Sequence, residues 1–295
     1  MDSNQYRRYV IAAVALIAIA AIAVIGFCAL ALITLHRRAD PARKAVSWIK
    51  ASFVLLTLAI LCALATYAIA LAFFETDFSG GATPRNLDRA GAHVELLWEL
   101  FDQWAQAAIL VGLVRLATGI HNASRNGSAL WHRLARWATA AMAFVVFALS
   151  AAYYGYSVNL VVREQGLGGT GMGDFRTQNQ LATASNIIIW ITSLGVGLVS
   201  IFAWMLSSGF RSLSSLLVFA NFLNFIGTTW NMVFYIRYRL QGRFPPLYVG
   251  ILHAILAMWT SVALLVIAWW ILVRKAGGVW TTGRYGNKGI EMRHY

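Results

Sequence analysis

Glu95, Glu99, Asp102 and Gln106 recur at i, i+4, i+7 and i+11, a spacing that stacks four polar side chains on one face of a helix. The residues around them are mostly apolar and run long enough to cross a bilayer. A span beginning near Val94 puts Asp102 about 12 Å along the helix axis at 1.5 Å per residue. A carboxylate at that depth is costly unless protonated, paired or hydrated, so an intramembrane acid is a functional candidate by default. Glu95 lies nearest the helix end, where headgroups and water reach it. Carboxyls crowded together in a low dielectric cannot all ionise, so at least one is expected to keep its proton. A neutral carboxylic acid in a dry, aromatic-lined pocket is a competent general acid. Asp102, Glu99 and Glu95 are therefore the expected catalytic groups.

The elements that must position them are membrane helices. Of 295 residues, 59% are hydrophobic and 12% charged, against about 25% charged in a soluble domain. Mean hydropathy is +0.64. More apolar surface is present than one soluble core could hide, which leaves lipid as the solvent. Seven runs reach the length of about 20 residues that a bilayer requires: roughly 9–35, 46–74, 94–120, 135–160, 184–208, 213–235 and 248–273. The sequence thus predicts an all-α, multi-pass transmembrane bundle of seven spans over residues 1–275, followed by a basic cytosolic tail, 276–295. The first run is about twice as long as a signal-peptide core and is read as a retained helix. The glycine-rich gap from Gly166 to Gly173 lacks a GK[ST] element and joins two spans, so it is a loop and not a phosphate cradle.

Lys and Arg number 24 against 11 Asp and Glu, a net charge of +13. The basic residues cluster beside the apolar runs, as in Arg37 and Arg38, Arg43 and Lys44, Arg237 and Arg239, and Arg274 and Lys275, where headgroups favour positive charge. They argue for topology and against a nucleic-acid partner. With the N-terminus outside and the C-terminus inside, inner segments hold 14 Lys and Arg and outer segments nine. Arg115, within the third span, is expected to snorkel. Asn122 and Asn126 begin two glycosylation sequons that this N-out, C-in orientation puts in the cytosol.

Under that topology further polar groups fall in the leaflet of the acids. Asn221, Asn224, Thr228, Asn231 and Tyr235 form a stripe on the sixth span. Tyr153, Tyr156, Asn186 and His253 lie at the same depth. Each alone reads as helix–helix glue, aromatic belt or a structural histidine. Together they predict a polar pocket, with Gln106, Tyr153, Tyr156, Asn186, Asn231, Tyr235 and His253 binding substrate. His93 and His253 add two imidazoles, but no HxxxH, HExxH or CxxC spacing accompanies them, so neither metal nor other cofactor is expected.

Such a pocket could protonate an epoxide, alkene or enol of a lipid-like molecule, with aromatic faces stabilising the developing cation. Trp98-Glu99 loosely resembles the Trp-Glu element of the small membrane-bound terpene cyclases of secondary metabolism, which use this logic on a bundle of comparable helix number. The resemblance covers a few residues of one helix, finds no counterpart of their second acid, and carries over no site residue. The expected partners are membrane lipid and a hydrophobic small molecule. A seven-helix receptor or a small-molecule transporter would use the same pocket for binding. The seventh span has no lysine for a retinal Schiff base.

Overall fold

The computed structural model describes residues 3–35, 44–78, 85–125, 130–165, 172–207 and 210–274, and all of its regular structure is helical. Helices α1 (Ser3–Thr34), α2 (Val46–Phe78), α3 (Arg85–Arg125), α4 (Leu130–Gln165) and α5 (Met172–Leu206) are continuous. The sixth, α6 (Arg211–Leu240), ends in a π-helical turn over Tyr235–Leu240. The last, α7 (Val249–Val273), carries a second π-turn over Ala254–Trp259. All seven are long and apolar enough to cross a membrane. The tail 276–295, Asn126 and most of the glycine-rich gap lie outside the described residues.

Small residues set the packing. Val10, Ala13, Ile17, Ala20, Val24 and Ala31 form the buried seam of α1, while Ile22 and Ile33 on its other face are 74% and 69% exposed. Large apolar side chains left exposed on the outer face are the pattern of a helix solvated by lipid. Along α5 and just past its end, Asn186, Ser193, Ser200 and Ser207 repeat every seventh residue and are all buried. Asn221 of α6 donates to Ser200 at 2.8 Å, and Ser193 and Thr228 share a hydrogen bond at 3.1 Å. Asn221 and Thr228 of the α6 stripe thus bond α6 to α5, whereas the buried Asn224 between them has no side-chain hydrogen-bond partner.

Helix α3 occupies the middle. Within its most apolar window 89% of residues are buried, against 22–28% in α1, α2, α4 and α5. It lies between α2 and α4 and also touches α5 and α6, while α1 closes the bundle against α7. Being enclosed lets α3 be polar. Trp104 donates to Ser150 of α4 at 2.8 Å, Gln103 accepts from Ser185 of α5 at 2.9 Å, and Gln106 donates to Ser261 of α7 at 3.0 Å. Interhelical bonds of this kind contribute on average about 0.6 kcal/mol each.

One close approach depends on a glycine. A Cβ on Gly227 of α6 would lie 2.8 Å from the Thr260 hydroxyl and 3.2 Å from the Leu256 carbonyl of α7. Thr260 is tied to Leu256 O at 2.7 Å and cannot easily yield. Gly227→Val is therefore expected to cost about 1–3 kcal/mol by overpacking. Gly112→Ala, whose new methyl meets only the flexible end of Ile49 at 2.8 Å, should cost less. Thermal unfolding of the two purified variants checks the order.

Candidate functional site

The acidic face of α3 is completed by a residue 140 positions away. Arg239, in the π-turn of α6, donates through one nitrogen, Nη2, to Glu99 at 2.8 Å and to Glu95 at 2.9 Å. The other oxygen of Glu99 accepts a hydrogen bond from the hydroxyl of Tyr153 on α4, and Tyr235 lines the same cavity as this carboxyl. Glu99 is 6% exposed, whereas the side chains of Glu95 and Arg239 are 41% and 35% exposed. A carboxyl accepting from a guanidinium and a phenol has the bonding inventory of a carboxylate. The burial of Glu99 is thus compensated by one charge and one hydroxyl.

Sequence position alone puts Arg239 in the gap after a sixth span ending near Tyr235. In the structure the helix continues one turn farther, to Leu240. The physical reason is neutralisation: the guanidinium that lowers the apolar character of this turn is matched by two carboxylates. Tyr235 and Arg239 are four residues apart and both face α3. The i, i+4 relation to a buried tyrosine is the local signal for Arg239, but its partners are too distant in sequence to be read.

Asp102 is differently placed. It lies one turn before Gln106 on α3, and among the described residues no cation pairs with it. Asp102, Glu99 and Glu95 all line one cavity of about 770 Å³, at the end of the bundle where α1 begins. Its walls include Tyr67, Trp98, Phe234, Tyr235, Tyr238 and His253, and the α6–α7 connection rims its mouth. Gly242, at φ 64°, turns the chain there through the left-handed region that glycine enters without strain. Phe244, 96% exposed, and Pro245-Pro246 follow it at the rim.

The aromatic side of the cavity is organised around His253. Its Nδ1 accepts from Trp230 at 3.3 Å, which leaves Nε2 as the N–H of a neutral ring. Trp98 meets the imidazole edge-to-face at 5.4 Å between centroids, and Phe234 lies at 5.7 Å. Tyr67 tilts against Trp98 at 6.2 Å. These rings share the cavity lining with the carboxyl groups, an arrangement suited to a ligand apolar over most of its surface.

The remaining candidates are distributed as follows. Gln106 lies below the cavity, bonded to Ser261, and Tyr153 reaches the site from behind Glu99. Asn186 is buried and donates to Ala182 O on its own helix at 2.9 Å. Asn231 is buried, with its Oδ1 unpartnered. Neither asparagine lines the cavity, nor does Tyr156. Among the described residues no group of three or more His, Cys, Asp or Glu side chains is placed to hold a metal ion. No protein-family model, curated protein or solved structure matches this chain.

Proposed function

We propose that this chain is an integral membrane protein, N-terminus outside and C-terminus in the cytosol, whose cavity takes a hydrophobic small molecule and uses Asp102 for acid–base chemistry on it. The observation that carries this reading is the division of labour among the carboxyls. Glu99 and Glu95 are engaged by Arg239, while Asp102 faces the same aromatic-walled space without a cation. The chemistry is a balanced proton shuttle. The Asp102 carboxyl gives its proton to an oxygen or alkene carbon of the substrate, and the resulting carboxylate takes a proton back from another position. The product is an isomer or a cyclised isomer, and no co-reactant is consumed. Trp98 and Tyr67 would face the intermediate cation with their ring quadrupoles. Arg239 also supports the orientation: inside the helix and neutralised, it leaves eight of the nine outer basic residues against 14 inner ones.

A receptor or transporter is the second reading, favoured by how fully Glu99 is satisfied: a locked ion pair can shape a binding cavity without reacting. Extract profiling separates the two. Lipophilic compounds from cells with and without the gene, and from membranes purified with the protein, are compared by mass spectrometry. A new compound isomeric with a consumed one is expected. A compound that copurifies unchanged, with no isomer formed, moves the assignment to binding.

A further inference from the structure

A second cavity, about 410 Å³, opens at the opposite end of the bundle and is lined by Lys44, Arg115, Arg133 and Arg136, together with Asn122 and Trp137. The four cations come from three places: the turn before α2, the inward side of α3 and the first two turns of α4. No carboxylate lines it among the described residues. Two of the guanidinium groups are held in place. Arg115 lies over the Trp48 ring at 5.4 Å, and Arg136 Nε donates to the His132 carbonyl at 3.0 Å. Asn122 adds a buried amide oxygen with no hydrogen-bond partner, and rotating the amide would offer its N–H groups instead.

Independent snorkelling would spread these side chains towards water, because like charges repel. Their convergence on one concavity instead concentrates positive charge where an anion is favoured. We infer that this cavity binds the phosphate group of an anionic membrane lipid. Guanidinium groups match phosphate oxygens bidentately, and basic pockets between membrane helices are suited to lipid headgroups. The flank of α4 beside the cavity specifies the lipid source. Leu130, Leu134 and Trp137 are 84%, 70% and 77% exposed, giving an acyl chain an apolar track from which a free anion gains nothing.

The test uses the full-length chain in nanodiscs of phosphatidylcholine, with and without a minor fraction of phosphatidic acid, and in a third arm with inorganic phosphate. Phosphatidic acid is expected to be retained about tenfold more strongly than phosphatidylcholine in native mass spectra, and to raise the unfolding temperature. The R133Q/R136Q variant should lose that preference, while R211Q/R274Q, which removes the same charge from the same end outside the cavity, should keep it. If R133Q/R136Q fails to fold in phosphatidylcholine, K44Q, which alters an exposed side chain, takes its place with a smaller loss expected. Equal losses in the cavity and control variants, or no preference for phosphatidic acid, overturn the site. Stabilisation by inorganic phosphate equal to that by phosphatidic acid overturns the assignment to a lipid.

Discussion

Arg239→Met is expected to lower the unfolding free energy by about 2–4 kcal/mol. Removing one partner of a buried ion pair costs about 3–5 kcal/mol, because the stranded charge loses its compensation without regaining water. Glu99, 6% exposed, is the group so stranded, and the partial exposure of Arg239 and Glu95 trims the total. Two companion variants identify the cause. Both contacts pass through a single nitrogen, so Arg239→Lys, which also offers one nitrogen, should lose less than half as much. Adding Glu99→Gln to Arg239→Met removes the orphan charge and should recover part of the loss. Unfolding of each variant in detergent, followed by helical circular dichroism, measures the series. A wild-type midpoint for Arg239→Met would mean that water already solvates Glu99, and the enclosed-site picture would fail.

Asp102→Asn should reduce turnover of the compound found by profiling by about 10²–10⁴-fold, the range by which a positioned acid or base accelerates proton transfer. The amide keeps the shape of the carboxyl and removes no ion pair, so the variant should fold and bind as the parent does. The loss is accordingly expected in kcat with KM little changed. Glu99→Gln differs in kind: it removes the charge that faces Arg239, so its activity should fall in step with its folded fraction. Turnover of Asp102→Asn near the parent level, with binding intact, would remove Asp102 from the chemistry and leave the cavity as a binding site.

Much of this is legible in the residues before any fold is known. Apolar length marks seven spans, and the period of Glu95, Glu99 and Asp102 marks one polar face, because both are local properties of a helix. The position of α3 is not local. Only its neighbours show that it is the enclosed helix, although its window has the lowest hydropathy of the seven, 1.2 against 3.0 in α1. The α6 stripe shows the opposite difficulty. Asn221 and Thr228 have the period of a pocket wall, yet they bond to Ser200 and Ser193 of α5, and only Tyr235 at the end of the stripe lines the cavity. Period identifies a face but not what it faces. Arg239 and Arg115 were both legible as interfacial charge, which is how most basic residues near helix ends behave. Pairing with acids 140 residues away, or convergence with three other cations, depends on tertiary structure alone.

The distance along the chain between Glu99 and Arg239 has a consequence for biogenesis. At about 5–20 residues per second, the ribosome delivers Arg239 roughly 7–28 s after Glu99. Throughout that interval α3, the least apolar span, has no guanidinium for its acids. Tyr153 arrives 54 residues after Glu99 and can offer a hydroxyl, but not a charge. The nascent chain must therefore hold α3 protonated, hydrated or sheltered within the insertion machinery until α6 emerges. Release of the early helices into lipid as independent hairpins would strand the acids that later become the floor of the cavity.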